Sequence, residues 1–228
     1  MALLCCVWLA APPATAAEPR IEVLFVGNSY TSFNDLPQML TALAKAGGKR
    51  LRADRSVAGG FTLQKHWEGQ RAARQIAGRR WDYVVLQEQS QLPVVAPAVM
   101  FEYAKKFDAA IDERGAKTIF FLTWARANAP DMQAGLNQSY FAIAKECEAE
   151  VAPVGLAWQQ ALTMDNPPKL HQADNSHPTP AGTYLAACVF YGTIFGESPE
   201  GLRWKPPQLP DPQAGILQHT AWQAVTQN

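Results

Sequence analysis

Two short segments carry residues that could act as a nucleophile and its base. Ser29 lies in the segment GNSYTSFNDLP, directly after an apolar run, and Asp174 and His177 lie three residues apart in DNSHP. A serine hydroxyl becomes a good nucleophile when a neighbouring imidazole accepts its proton, and a carboxylate on the other ring nitrogen fixes the tautomer of that imidazole. Ser29, His177 and Asp174 therefore predict acyl transfer through a Ser-His-Asp triad.

Each segment also has a plainer interpretation. Ser29 could cap a helix that starts after the first strand, and Asp174 could cap the helix that follows an exposed His177. Pro178 favours an extended His177, which would keep the imidazole off that helix. A metal site made of His171, Asp174 and His177 is a minor alternative, because it lacks a second carboxylate.

A third set of residues could donate hydrogen bonds to an oxyanion. Gly59 and Gly60 follow the second predicted strand, where the N–H of either one could approach a substrate oxygen closely. Gln89 follows the third predicted strand, and its side-chain amide is a further donor. With the N–H of Ser29, these groups could stabilise the charge that develops on an attacked carbonyl. Taken one at a time, a glycine turn and a polar loop explain them as well.

Four more side chains are expected around the same crevice. Asn28 precedes the nucleophile and Glu88 precedes Gln89, while Trp124 and Arg126 follow the fourth predicted strand. We expect all four to contribute to substrate binding. Trp124 and Arg126 could line a sugar-binding surface, whereas Glu88 could equally be a solvated loop carboxylate.

The surrounding sequence predicts a parallel sheet wrapped by helices, because short apolar runs alternate with longer amphipathic ones. The predicted strands are 21–26, 51–57, 83–87, 118–123 and 151–154. The predicted helices are 36–46, 62–77, 94–114, 132–149 and 180–195, followed by a short one near the end. Strand 51–57 is the most polar, as expected near a sheet edge. Right-handed crossovers place every strand's carboxyl end at one edge of the sheet, so the candidate loops should meet there.

These segments together resemble the SGNH (GDSL-type) hydrolases. Gly27-Asn28-Ser29 is similar to the nucleophile block Gly-Asp-Ser, and Gly59 or Gly60 is similar to the glycine block. Gln87 to Ser90 stands where Gly-x-Asn-Asp is expected, and Asp174-x-x-His177 resembles the last block. Two residues depart from the pattern, since Asn28 replaces the common Asp and Gln89 replaces the oxyanion-hole Asn.

The resemblance spans essentially the whole chain from residue 18 and implies a fold and a function. The implied fold is α/β, a three-layer α/β/α sandwich with about five parallel strands in flavodoxin-like topology. The implied activity is that of a serine esterase with the catalytic residues Ser29, Asp174 and His177, and with Ser29, Gly59, Gly60 and Gln89 around the oxyanion. No cofactor or metal is expected. A non-catalytic ligand- or carbohydrate-binding module on the same fold is the alternative.

Short loops without a lid predict a small acyl group, acetyl above all, on a small-molecule or carbohydrate ester. The 228 residues carry 20 Lys plus Arg and 20 Asp plus Glu, so the formal net charge is zero. This balance speaks against a nucleic-acid binder and against an electrostatic tether to a membrane. The oligomeric state does not follow from the sequence.

Residues 1–17 read MALLCCVWLAAPPATAA, an apolar run followed by a small-x-small pattern. This pattern predicts a signal peptide and an exported protein, periplasmic or secreted, with residues 18–228 as one domain. The apolar run is too short to cross a bilayer, which takes about 20 residues. A hydrophobic tail is the alternative, because no Lys or Arg precedes the run. Cys147 and Cys188 are expected as two buried thiols or as one disulfide.

Overall fold

The computed structural model describes residues 19–227, and one parallel β-sheet lies at its centre. The strands are β1 (Ile21–Gly27), β2 (Leu51–Val57), β3 (Tyr83–Leu86), β4 (Lys117–Phe121) and β5 (Glu150–Ala152). Their order is β2-β1-β3-β4-β5, and each neighbouring pair is parallel. This is the predicted sheet, with the polar strand β2 at an edge as expected. The predicted signal segment, residues 1–17, lies outside the described residues.

Helices connect the strands and close both faces of the sheet. They are α1 (Ser29–Ser32), α2 (Leu36–Ala46), α3 (Leu63–Glu68), α4 (Arg71–Gly78), α5 (Leu92–Val95), α6 (Pro97–Asp112), α7 (Met132–Glu146), α8 (Val154–Leu162), α9 (Pro180–Phe195) and α10 (Asp211–Thr226). A short 3-10 turn, Phe33–Asp35, joins α1 to α2.

Side chains that alternate along each strand enter two separate cores. Val23 and Phe25 of β1 pack with α2, α8, α9 and α10 on one face. Leu24 and Val26 pack with α3, α4, α6 and α7 on the other face. Parallel strands that are buried on both faces read as unbroken apolar runs, which is why IEVLFV was recognisable in the sequence. The three-layer α/β/α sandwich is therefore confirmed.

Several helix boundaries differ from the prediction for local reasons. The predicted helix 62–77 is two helices, because Gln70 has φ +59° between α3 and α4. The predicted helix 94–114 breaks at Ala96, since a residue before proline disfavours helical geometry. The predicted last strand is shorter than expected, and Pro153 starts α8, a helix that the sequence analysis missed. The last helix, α10, has 16 residues and is not short.

Two further expectations can be read from the fold. Cys147 and Cys188 are both free thiols, so the disulfide alternative is not realised in this structure; Cys188 is buried as expected, whereas Cys147 is only half-buried. Within residues 19–227, no helix is both long and apolar enough to cross a membrane.

Candidate active site

Ser29, His177 and Asp174 form one hydrogen-bonded chain at the carboxyl edge of the sheet. The Oγ atom of Ser29 lies 2.8 Å from Nε2 of His177. The Nδ1 atom of the same imidazole lies 2.5 Å from Oδ2 of Asp174. Ser29 and His177 are partly exposed, so a substrate can reach the hydroxyl from solvent. The imidazole is thus placed to accept the hydroxyl proton while the carboxylate holds its far nitrogen.

The turn after β1 places Ser29 at the first position of α1. Asn28 is the cap of this helix, and its side-chain oxygen accepts the N–H of Tyr30 at 3.0 Å. Its side-chain amide donates to the carbonyl of Phe61 at 3.1 Å, which joins the turn that carries the candidate nucleophile Ser29 (residues 27–30, hereafter the nucleophile turn) to the loop after β2. Asn28 is only 3% exposed, so the expectation that it contacts substrate is corrected: it supports the turn.

Gln87, to which the sequence analysis assigned no role, stabilises the nucleophile turn through its side chain. Its Oε1 atom accepts the N–H of Asn28 at 2.8 Å and the hydroxyl of Thr31 at 3.1 Å. A Cβ on Gly27 would lie 2.5 Å from that same oxygen, so only glycine permits the close approach. A polar residue at the end of the apolar run YVVLQ was the available signal.

The loop that carries His177 is organised by Asp174. Oδ1 of Asp174 accepts the backbone N–H groups of Ser176 and His177, both at 3.0 Å, while Asn175 takes a left-handed φ of +61°. The hydrogen bond from His177, together with these two N–H groups, lowers the pKa of Asp174 to about 2. The carboxylate is therefore ionised at neutral pH. Thr179, not Asp174, caps α9.

The buried side chain of Trp124 supports the loop that carries His177. Its indole stacks between Tyr30, at 4.5 Å between ring centroids, and Trp158, at 4.0 Å. Its N–H donates to the carbonyl of Ser176 at 3.0 Å. Both faces of the ring are covered and the residue is 1% exposed, so the expected sugar-binding role of Trp124 is corrected.

Gly59 and Gly60 lie exposed in the loop after β2, and Gly60 has φ +67°. Gln89 lies in the loop after β3, partly exposed. Its side-chain oxygen caps α5 by accepting the N–H groups of Gln91 at 2.8 Å and Leu92 at 3.1 Å. The amide nitrogen is 3.4 Å from Oγ of Ser90. Capping fixes which way the amide is turned, with the oxygen towards α5 and the NH₂ group available as a donor.

Glu88 is fully buried, which corrects both expectations for it, a substrate contact and a solvated loop carboxylate. Burial raises its pKa to about 7, although N–H groups of Gln89 and Leu63 act in the opposite direction.

Arg126 is half-buried and donates through Nη2 to Oγ of Ser90 at 3.2 Å. Together with Leu162 and His171, it lines a cavity of about 450 Å³ beside the loop that carries His177.

The remaining histidines near the site contact backbone carbonyls. Nε2 of His171 lies 2.9 Å from the carbonyl oxygen of Ala125, and Nε2 of His66 lies 2.7 Å from that of Gly27. Burial lowers the pKa of both imidazoles. Among residues 19–227 no three His, Cys, Asp or Glu side chains are grouped to hold a metal ion, and the minor metal alternative has no support.

Comparison with solved structures places this fold. A DUF4886 family protein from Bacteroides uniformis has a TM-score of 0.79 and 20% identity, over 91% of this chain and 95% of that one. A Slackia heliotrinireducens protein assigned to the SGNH hydrolases has a TM-score of 0.68 and 26% identity, over 77% of this chain and 100% of that one. An acetyl-xylooligosaccharide esterase from Geobacillus has a TM-score of 0.58 and 17% identity, over 82% and 97%. No protein-family model and no curated protein matches the sequence.

The class of protein follows from these findings. The sheet order, the three layers and the solved neighbours are those of the SGNH hydrolases, so the resemblance predicted from the sequence is confirmed at the level of the fold. The nucleophile turn, the glycine loop and the His177 loop stand at one edge of that fold.

Proposed function

We propose that this chain is a carboxylic ester hydrolase that uses Ser29 as nucleophile, His177 as general base and acid, and Asp174 as the carboxylate partner. The observation that supports this most directly is the unbroken chain of hydrogen bonds from Ser29 Oγ through the imidazole to Asp174. A binding module would not need a solvent-accessible serine linked in this way to an ionised carboxylate.

The proposed reaction has two steps. In the first, Ser29 Oγ attacks the ester carbonyl while His177 accepts the hydroxyl proton. The bond between the carbonyl carbon and the alcohol oxygen then breaks as that oxygen takes the proton from the imidazolium, so an alcohol leaves and the acyl-enzyme remains. In the second, water attacks the acyl-enzyme with His177 again as base, and the carboxylic acid is released. The backbone N–H of Ser29, a backbone N–H of Gly59 or Gly60 and the amide of Gln89 stabilise the oxyanion in both steps.

The proposed substrate is a short-chain acyl ester, acetyl above all, carried by a carbohydrate or another small molecule. Ser29 is partly exposed, and the loops after β2 and β3 have only five residues each, which suits a small acyl group. The cavity of about 450 Å³ that Arg126 lines lies next to the His177 loop, where the N–H of Ala127 donates to the carbonyl of Asn175, and it is large enough for part of the alcohol. The Geobacillus neighbour is an acetyl-xylooligosaccharide esterase, although at 17% identity its fold alone is comparable.

The proposed place of action is outside the cytoplasm. This part of the proposal depends on the apolar segment 1–17 and its small-x-small pattern, which suit a cleaved signal peptide. N-terminal sequencing of the protein secreted or exported by a host cell tests it. A retained Met1 would contradict it.

The deciding experiment is hydrolysis of p-nitrophenyl acetate, butyrate and octanoate by the wild type and by Ser29→Ala. Ser32→Ala is the matched control, because Ser32 lies in the same short helix α1 and is also partly exposed. We expect turnover by wild type and by Ser32→Ala, a loss of at least about 10³-fold in Ser29→Ala, and a preference for acetate. Release of acetate from acetylated xylooligosaccharides, followed by NMR, tests the carbohydrate part.

Two results would overturn the proposal. Equal turnover by wild type and Ser29→Ala would remove Ser29 as nucleophile. Labelling with an alkyl fluorophosphonate followed by peptide mass spectrometry provides an independent readout, because an activated serine is labelled without turnover. Absence of both labelling and turnover would favour the binding module.

A further inference from the structure

The carboxyl group of Glu88 is fully buried and contacts backbone rather than a cation. Among the ion pairs within residues 19–227, none includes Glu88, although a buried carboxyl is usually paired. Burying an ionisable group in this way costs free energy, so such a group is retained where the surrounding structure requires it. We therefore expect the carboxyl group of Glu88 to have a role that an apolar side chain could not fill.

The hydrogen bonds of Glu88 join two of the loops at the active edge. Its Oε1 atom accepts the N–H of Gln89 at 2.5 Å. The N–H of Leu63 lies 3.2 Å from Oε1 and 3.3 Å from Oε2. Leu63 is the first residue of α3, directly after the loop that contains Gly59 and Gly60. One side chain thus connects the glycine loop to the Gln89 loop.

The residue before it makes the equivalent connection to the third loop. Oε1 of Gln87 accepts the N–H of Asn28, and Nε2 of Gln87 donates to the carbonyl oxygen of Glu88 at 2.5 Å. The nucleophile turn, the glycine loop and the Gln89 loop therefore converge on two adjacent side chains. These are the three loops that supply the proposed oxyanion donors.

We propose that Glu88 is a positioning residue that fixes the spacing between the glycine loop and the Gln89 loop, and with it the spacing of the oxyanion donors. This inference rests on the proposed esterase function. Glu88 touches no reacting atom. It acts through the backbone of Leu63 and Gln89.

The surroundings explain why the carboxyl group can take this role. From α7, the hydroxyl oxygen of Tyr140 accepts the backbone N–H of Glu88 at 3.2 Å, and burial raises the pKa of that phenol. From α3, His66 contacts the carbonyl of Gly27, and burial lowers its pKa. The hydrogen-bond partners of the carboxyl group itself are the backbone N–H groups of Gln89 and Leu63. In a glutamine, one of the two oxygens is replaced by an NH₂ group, which cannot accept the N–H of Leu63 or Gln89.

The test compares Glu88→Gln with Glu102→Gln in the full chain. Glu102 is exposed on α6 and forms a surface pair with Lys106, so its replacement is a matched control. Amide hydrogen exchange by NMR reports on the N–H groups of Leu63 and Gln89 without requiring activity. Steady-state kinetics on p-nitrophenyl acetate separate kcat from KM.

In Glu88→Gln we expect exchange at Leu63 and Gln89 to rise at least about tenfold, with Val85 in the core of β3 unchanged. We expect kcat to fall about 10- to 100-fold while KM stays within about threefold, because displaced donors act on the transition state. Glu88→Asp, one carbon shorter, should raise exchange at Leu63 more than at Gln89 and provides a second variant if Glu88→Gln unfolds.

Unchanged exchange at Leu63 and Gln89 would overturn the inference whatever the activity. Raised exchange with an unchanged kcat would overturn its catalytic consequence. If wild type has no turnover and no Ser29 labelling, the proposed function fails and so does the oxyanion role, while the exchange result still decides whether Glu88 anchors the two loops.

Discussion

Phe33 lies against the imidazole of His177, with ring centroids 4.2 Å apart and an interplanar angle of 18°. Phe33 belongs to the 3-10 turn that links α1 to α2. Asn34 in the same turn has φ +50° and donates to the carbonyl of Pro178 at 3.0 Å and to Oγ1 of Thr183 at 2.9 Å. The turn that follows Ser29 and α1 therefore supports the loop that carries His177.

This stacking predicts a catalytic effect of Phe33 in the proposed reaction. An aromatic face stabilises a cation by about 0.5–2 kcal/mol, and the imidazole becomes a cation when it accepts the Ser29 proton. Phe33→Leu should lower kcat about 3- to 10-fold, and Phe33→Tyr should retain most of it. Phe141→Leu, at a partly exposed position on α7, is the control. Equal kcat values in Phe33→Leu and wild type would remove this role.

Asp174→Asn should abolish most activity without unfolding the loop. An asparagine oxygen can still accept the N–H groups of Ser176 and His177, but its NH₂ group cannot accept the imidazole N–H. We expect kcat to fall about 10³- to 10⁴-fold while the protein stays folded, with a modest loss of thermal stability because the charged partner of His177 is gone. The exposed Asp165→Asn provides the control. A loss below about tenfold would contradict the role of Asp174.

The lowered pKa of Asp174 predicts how the stability of the protein depends on pH. Because the folded-state pKa is about 2, below the ordinary aspartate value of 3.8, the contribution of this carboxylate to stability is present above about pH 4 and lost as the pH falls towards 2. NMR titration of the Asp174 carboxyl carbon checks this. A midpoint at or above the ordinary aspartate value would contradict the hydrogen-bonded arrangement.

Glu88 predicts the opposite dependence on pH. Its pKa is raised from 4.5 to about 7, so its contribution to stability is present below pH 4.5 and lost as the pH rises through about 7. The free energy of unfolding of wild type, relative to Glu88→Gln, should therefore fall by up to about 3 kcal/mol between about pH 4 and pH 8. Urea unfolding across this range measures it. A constant difference would show that the folded-state pKa of Glu88 is not raised above its ordinary value.

Gly27→Ala should disturb the nucleophile turn more than its size suggests. The new Cβ would lie 2.5 Å from Oε1 of Gln87 and 2.7 Å from Oγ1 of Thr31, so the buried amide must move. We expect a loss of about 1–3 kcal/mol in stability and a clear drop in kcat. Gly215→Ala in α10 meets open space and should be neutral or slightly stabilising. Unchanged stability in Gly27→Ala would contradict the close packing.

The sequence predicted the sheet well because its strands are buried on both faces. Runs such as IEVLFV and TIFFLT leave few other places for their side chains, and the polar strand β2 was expected at an edge, where it lies. Helix boundaries were less predictable, because a single backbone angle decides them. Gln70 with its positive φ divides a continuous amphipathic pattern into α3 and α4.

For the site, the sequence was enough to select the candidate residues, whereas the tertiary structure decided which polar side chains around them are exposed. Residue type and local spacing were enough to select Ser29, Asp174 and His177 as candidates, because a three-residue Asp-to-His spacing can close within one turn. Which polar side chains face solvent depends on packing between distant segments. Trp124 is covered by Tyr30 and Trp158, and Glu88 is enclosed beneath the loops it joins. Their contacts come from residues far away in the chain, so only the folded structure separates supporting residues from exposed ones.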